Sequence, residues 1–415
     1  MSLSARFSCL SDHDPEALSV AQARAFIGSQ LTPIRIPERL PLRSALGRVL
    51  ASDVIAPCNV PAHDNSAMDG YALRHAELSE TAGTRLRVAG TALAGRAFAG
   101  EIAAGECVRI MTGALLPAGC DVVVIQEVVA VDGDGIIVPP GQRRGQNIRL
   151  AGEDLAAGRP ALAAGRLIRP AELGLIASLG CGEISVYRRL RVAFFSTGDE
   201  LCSSGTPLGD GQVYDSNRYT LFGMLTRLGC EVLDLGVVGD QPEWLATTFR
   251  QAAAAADVVI TSGGVSVGEA DFVRTLMAQL GEVLFWKIAM KPGRPLAFGR
   301  IGGAWLFGLP GNPVAVMVAF QQFVRDALYL LMGADPLPVV PLLPAVCTVA
   351  LKKAPGRSEY QRGVLSDGCV RPTGAQGSGI LRSMSDANCF IVLEHDRGDV
   401  AAGDSVAVQL FDGLV

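Results

Sequence analysis

Paired cysteines are missing from this chain: ten are scattered through 415 residues, and the nearest two in sequence are Cys107 and Cys120. That spacing excludes a disulfide scaffold, a zinc ribbon and a CxxC redox pair. The cysteines read as small buried hydrophobes in a reducing compartment. Histidine is scarce too, with only His13, His63, His75 and His395 and no HExxH, so a His-rich metal site is not expected. Excess positive charge is absent: 41 acidic residues face 36 basic ones, the net charge is −5, and no basic block stands out. A nucleic-acid binder is thereby excluded. The N-terminus MSLSARFSCLSDHDPEAL has no apolar h-region, so no signal peptide is expected and the location reads as cytoplasmic. A Walker A loop, GxxxxGK[ST], is also lacking. One stretch, 301 to 324, runs 24 residues without a charge. Gly302, Gly303, Gly308, Pro310, Gly311, Asn312 and Pro313 interrupt it, which predicts strand, turn and buried helix and no membrane span.

What is present is apolar and turn-rich: 49% hydrophobic, 19% charged and 48 glycines, the balance of a globular chain with several buried cores. At roughly 150 residues per domain, two to four domains are expected. A helix is predicted around Ser19 to Gln30. Leu42, Ala45, Leu46, Val49 and Leu50 fall at i, i+3, i+4, i+7 and i+8, which predicts an amphipathic helix. From about Arg85 to Pro140 the chain turns to short β-like runs between Gly and Asp, the mark of an inserted small β module. After Tyr187, near-continuous apolar runs such as RVAFFST and DVVITSGG alternate with helix-like stretches, as in a doubly wound, mainly parallel α/β sheet. A proline run at Pro336, Pro338, Pro341 and Pro344 precedes a last segment read as a small β-barrel-like domain. The expected division is an elongated N-terminal linker or dimerisation part (14–64 and 150–186), the inserted β domain (65–149), the central α/β domain (187–334) and the C-terminal β domain (335–415).

In an open α/β sheet, ligands collect beyond the carboxyl ends of the strands. Here those ends are rich in polar groups and glycine: Thr197, Gly198, Asp199 and Glu200; Asp240; Ser262, Gly263, Gly264, Ser266 and Asp271; Lys287 and Lys291 with Arg294; and Pro310, Asn312 and Pro313. Taken singly, TGDE can be a turn with a helix cap, GGVSVGEAD a flexible connection, and the two lysines a solvated face. Taken together, carboxylates with serial glycines and cations suit a Mg²⁺-dependent phosphoanhydride site. The loop Asp64 to Tyr71, with Ser66 and Asp69, can be an Asx-rich turn. Near the C-terminus, Lys352, Lys353, Arg357, Arg362 and Arg382 surround the Gly/Ser loop 374–379, either a basic surface or a second anion site.

Several ordered motifs carry a resemblance: PAHDNSAMDGYAL, RIMTGALLPAGCD, GEDL, FSTGDEL, VYDSNRY, TSGGVSVGEADFV, FWKIAMKPGRPLAFG, GLPGNPV, and YQRGVL followed by GSGI. From about residue 14 to 413 the chain resembles the MoeA family of molybdopterin molybdenumtransferases and the E domains of gephyrin and its plant counterpart. The resemblance implies insertion of molybdate into adenylylated molybdopterin with release of AMP, and Mg²⁺ as the cation. By motif, Asp69, Glu200, Asp240 and Asp271 would be catalytic, with Glu200, Asp240 and Asp271 as metal candidates. Thr112 and Ser66 would join the strand-end residues in binding substrate, and Lys287, Lys291, Arg362 and Ser378 would bind molybdate. The resemblance also implies a homodimer in which the N-terminal loop of one subunit completes the cleft of the other. A molybdopterin adenylyltransferase would deliver the substrate, and molybdoenzymes or their chaperones would receive the product. Arg294 stands where many members have Lys, Ala315 where some have Ser, and Gly379 where some have His.

Two alternatives stay open. The central segment alone also resembles molybdopterin adenylyltransferases, though DNSAMDGYA and the β tail speak against that reading. A non-catalytic, peptide-clasping E-domain-like module is the other, and the intact set of acids and lysines speaks against it.

Overall fold

The computed structural model describes residues 17–264 and 271–411. Strands that are apolar on both sides need cover on both faces, and the central segment supplies it by alternating strands with helices. Strands β1 (Arg191–Thr197), β2 (Glu231–Val238), β3 (Val258–Ser262), β4 (Gly281–Lys287), β5 (Pro295–Ile301) and β6 (Ala304–Leu309) form one sheet in the order β2-β1-β3-β6-β5-β4. Pairing is parallel from β2 to β6, and β5 alone runs against both of its neighbours. The carboxyl ends of β1, β2, β3, β4 and β6 therefore open on one rim. Helices α1 (Val20–Gln30), α2 (Ser216–Arg227) and α5 (Pro313–Ala319) cover one face, where Phe194, Ile260 and Phe307 share a core with Phe26, Leu221 and Met317. Helices α3 (Pro242–Ala255) and α4 (Asp271–Leu280) cover the other, with Phe195, Val259 and Leu306 packed with Leu245, Phe249 and Met277. Helix α5 continues through a π-helical turn to Leu331; this span is apolar and long enough for a membrane, yet 83% of its most apolar window is buried in the protein core.

The stripe from Leu42 to Leu50 does not form the expected amphipathic helix. A single 3₁₀ turn, Leu42–Ala45, is followed by Gly47 at φ +75°, and Val49 and Leu50 bridge to Leu167 and Val186. Leu46 is half exposed, whereas Ala45, Val49 and Leu50 are buried. The apolar residues reach a core through backbone pairing with the returning chain, and over so short a stretch their spacing suits either arrangement.

That returning chain ties the two N-terminal pieces together. Pro37–Pro41 pairs with Glu183–Tyr187, and Val54–Ile55 with Pro160–Leu162. Between them sits the β module, a six-stranded sheet whose central members are Gly70–Leu73, Glu106–Ile110 and Thr84–Ala92. The first turn of the helix Pro170–Ser178 holds Glu172, 4% exposed, whose carboxylate accepts from the Arg169 N–H (3.1 Å) and from Nη2 of Arg169 (3.0 Å) and Arg166 (2.9 Å). The Arg169 side chain is the main cause that holds the Glu172 carboxyl at about 2, below its ordinary 4.5. A depressed folded value means that this stabilisation is complete above about pH 4.5 and disappears as pH falls towards 2. Glu172→Gln is therefore expected to lower stability by roughly 2 kcal/mol at pH 7 and by little near pH 2, allowing for the half-exposed arginines; urea unfolding at the two pH values checks it.

At the C-terminus, β7 (Leu342–Cys347), β8 (Ser358–Ser366), β9 (Cys369–Pro372), β10 (Cys389–Leu393) and β11 (Ser405–Leu410) close into a five-stranded barrel, β8-β9-β7-β11-β10 and back to β8. Cys347, Val370, Ile391 and Val408 lie in its core. Met290 and Lys291, from the β4–β5 connection, pair in parallel with Ser358 and Glu359, which seats the barrel beside the rim of the central sheet.

Candidate active site

At the end of β1 the chain turns through Gly198, where a Cβ would lie 2.4 Å from Glu200 Oε2. Glycine thus lets the Glu200 carboxylate fold back over the turn. The Thr197 hydroxyl donates to Asp240 Oδ1 (2.6 Å), and the Asp240 N–H donates to Asp199 Oδ1 (3.0 Å). Thr197 and Asp199, expected as substrate contacts, brace Asp240 in this arrangement, so the acids at the ends of β1 and β2 form one preorganised unit.

Strand β3 ends at Ser262, followed by Gly263 at φ +93°, whose N–H donates to the Leu309 carbonyl (3.1 Å). Beneath them lies Asn217, a buried residue in the first turn of α2 that no sequence argument selected. Its Nδ2 donates to Ser262 Oγ (2.8 Å) and to the Gly311 carbonyl (2.6 Å), tying the ends of β3 and β6 together. Its place in VYDSNRY, two residues after the helix cap Asp215, was the available signal. Pro310, Gly311 and Asn312 lead from β6 into Pro313 at the start of α5.

Cations gather towards the other end of the rim. Lys287 closes β4, and Lys291 and Arg294 lie in the following connection, where the Ile288 N–H donates to the Arg294 carbonyl (2.7 Å). The loop 374–379 arrives from the barrel, and its Ser378 carbonyl accepts from the Val314 N–H (3.0 Å) in the first turn of α5. Ser378 thereby joins Asn312 and Pro313.

Arg362 is placed differently from the expected anion contact. It is 1% exposed, and its guanidinium donates to Ser383 Oγ (2.8 Å) and to the carbonyls of Ala375 (3.2 Å), Gln376 (3.1 Å) and Gly377 (2.9 Å). Among the described residues no carboxylate pairs with it, and burial pushes its pKa down. Arg362 therefore shapes the loop that carries Ser378. Arg362→Ala is expected to cost about 3 kcal/mol, since it strands three carbonyls and a hydroxyl, and to expose 374–379 to limited proteolysis; thermal unfolding and peptide mapping measure both. The neighbouring cations are engaged elsewhere: Lys352 with Asp399 (2.7 Å), Arg357 with Glu359 (2.9 Å), Arg382 with Asp386 (3.6 Å), and Lys353 with the Ala354, His395 and Arg397 carbonyls.

In the inserted module, Asp69 Oδ1 accepts both the Thr112 N–H and its hydroxyl, each at 2.7 Å. These bonds, the backbone one first, hold the Asp69 carboxyl below its usual 3.8. Ser66 is buried and its hydroxyl donates to the Met68 carbonyl (2.5 Å), so this side chain serves its own turn. Among the described residues, no hydrogen bond or ion pair joins Asp69 or Thr112 to the central rim. Ser266 lies outside the described residues, and so does the side chain of Asp271, whose backbone opens α4. Among the described residues, no group of three or more His, Cys, Asp or Glu is arranged to hold a metal.

Three family profiles match in chain order: "MoeA N-terminal region (domain I and II)" over residues 18–180, "Probable molybdopterin binding domain" over 193–329 and "MoeA C-terminal region (domain IV)" over 344–411. A molybdopterin molybdenumtransferase of Haemophilus influenzae is 45% identical over 404 residues, covering 96% of this chain and 100% of that protein. The chain belongs to the MoeA family. Another MoeA relative, molybdopterin molybdenumtransferase 2 of Mycobacterium tuberculosis H37Rv, is 38% identical over 94% of this chain and 98% of its own length. The crystal structure of the molybdopterin biosynthesis MoeA protein from Pyrococcus horikoshii OT3 superposes with a TM-score of 0.83 at 27% identity, covering 95% of this chain and 100% of that one. The MoeA fold thus includes the central α/β sheet, the inserted module and the closed barrel described above.

Proposed function

We propose that this chain is a transferase of molybdenum cofactor biosynthesis that inserts molybdenum into molybdopterin, taking molybdate and adenylylated molybdopterin as substrates and releasing AMP. The observation that carries this reading is the division of one rim: braced carboxylates at the ends of β1 and β2, and Lys287, Lys291 and Ser378 towards β4 and α5. A tetrahedral dianion suits the second group, since Lys N–H and Ser O–H are charge-assisted or neutral donors of the kind that hold sulfate. In this reading Arg362 serves molybdate indirectly, by fixing the loop beneath Ser378. Soft thiolates for the metal come from the pterin dithiolene, so no protein cysteine is required.

The acid end fits a hard cation. Glu200 and Asp240 offer only oxygen donors, and the Thr197 and Asp199 contacts fix Asp240 without consuming both of its carboxylate oxygens. These two residues, with Asp271, would hold Mg²⁺, which bound there supplies charge neutralisation on the phosphoanhydride. Gly263 and Gly264 present backbone at the centre of the rim, and Asn217 keeps Ser262 and Gly311 in place behind it.

The Asp69–Thr112 pair, preorganised yet unconnected to its own rim, supports a homodimer in which the module of one subunit serves the cleft of the other. An adenylyltransferase as donor, molybdoenzymes or their chaperones as recipients, and a cytoplasmic location complete the reading. AMP release from adenylylated molybdopterin and Mg²⁺, with and without molybdate, tests it. Molybdate-dependent release with molybdenum in the pterin product supports insertion; adenylylated product from ATP and molybdopterin, with no release, supports the adenylyltransferase instead.

A further inference from the structure

A large exposed aromatic side chain at the edge of a polar rim calls for an explanation, because burial of such a ring is the usual outcome. Trp244, in the first turn of α3, is 58% exposed. It stands beside the acid end: a Cβ on Gly239 would lie 3.2 Å from Asp199 Oδ1 and 3.8 Å from the Trp244 ring. The indole therefore lies within ordinary van der Waals reach of the backbone that leads into Asp240.

The order of strands says what passes over it. Lys287 and Trp244 follow β4 and β2, the two outer strands of the sheet, five strand spacings or about 24 Å apart. Molybdate must meet the dithiolene, so that part of the substrate faces Lys287, Lys291 and Ser378. The anhydride belongs at Glu200 and Asp240, which follow β1 and β2. The group beyond the anhydride, the adenosine, then continues past Asp240 to the β2 edge. We infer that Trp244 is a stacking platform for the adenine base of the adenylylated substrate and of the AMP product. This rests on the insertase reading above for the identity of the ligand.

The chain supplies its own probe, because it has only three tryptophans. Trp286 is buried, and Trp305 lies between Phe298 (ring centroids 5.4 Å apart, 7° between planes) and Arg300 (5.0 Å from its ring). A ligand-induced change in emission at the rim therefore reports Trp244. AMP titrated into the full chain with Mg²⁺ is expected to quench tryptophan emission, and Trp244→Phe to abolish the quench while retaining most of the affinity. Trp244→Ala is expected to weaken AMP about tenfold or more in calorimetry, the scale of one lost base–aromatic stack. Its affinity for pyrophosphate should match that of the wild type, which also shows that the variant is folded. Unchanged AMP affinity in Trp244→Ala would overturn the inference, as would loss of 6-hydroxymethylpterin binding in place of AMP binding. Because these are binding measurements, AMP stacking without molybdate-dependent turnover would refute the insertase reading alone, and turnover with unaltered AMP binding in Trp244→Ala would refute the platform alone.

Discussion

Asp240→Asn is expected to slow AMP release by about 100-fold or more, the scale of losing one preorganised electrostatic contact to a developing charge. The substitution keeps the shape of the side chain. Asn Oδ1 can still accept from the Thr197 hydroxyl, which donates to Asp240 at 2.6 Å, and the backbone N–H of residue 240 still reaches Asp199. Only the negative charge is removed, so thermal unfolding should be nearly unaltered while the Mg²⁺ concentration needed for half-maximal release rises steeply. Thr197→Val provides the contrast, since it leaves the charge and removes the brace. Its expected loss is nearer tenfold, with a smaller change in Mg²⁺ dependence, because a released carboxylate still reaches the productive rotamer part of the time. Wild-type release by Asp240→Asn at ordinary Mg²⁺ would remove this acid from the reaction. AMP release as a function of Mg²⁺, measured for both variants beside the wild type, decides the matter.

The central sheet was legible because strands buried on both faces must be apolar almost throughout, and RVAFFST, DVVITS and AWLFGL are. The rim followed from topology, since in such a sheet the polar residues after each strand converge on one edge. Local periodicity was a poorer guide where long-range pairing took over: Val49 and Leu50 belong to bridges with Leu167 and Val186, partners more than a hundred residues away. The setting of Arg362 was illegible for a related reason. In sequence it sits among cations near a Gly/Ser loop, whereas on β8 its side chain is buried beneath that loop, and only the folded loop shows that the carbonyls of 375–377 wrap it. Asn217 and Trp244 were missed because each follows a turn by only a few residues. Their importance depends on what the neighbouring strand ends bring to them, and no local pattern records that.

Gly263→Ala is expected to be the most damaging small substitution on the rim, lowering stability by about 3 kcal/mol or more. Two independent costs coincide there. The residue lies at φ +93°, where an L side chain is strained, and an added Cβ would sit 2.4 Å from the Thr197 carbonyl oxygen. That oxygen is backbone at the end of a buried strand, so it cannot swing aside as a flexible side chain would. Relief requires β1 and β3 to part, and this would carry Thr197 away from Asp240 and weaken the brace on the acid pair. Gly311→Ala, on the next strand end, isolates the cause: an added Cβ there meets only Gly263 Cα at 3.9 Å, an ordinary contact. It should change stability by no more than about 0.5 kcal/mol. Urea unfolding of the two variants, with AMP release measured on the folded fraction, reads out both effects. Comparable stability for the two would mean that the closeness of Gly263 to Thr197 does not hold the rim together. A large loss confined to Gly263→Ala would tie the glycine at the end of β3 to the geometry of the carboxylates one and two strands away.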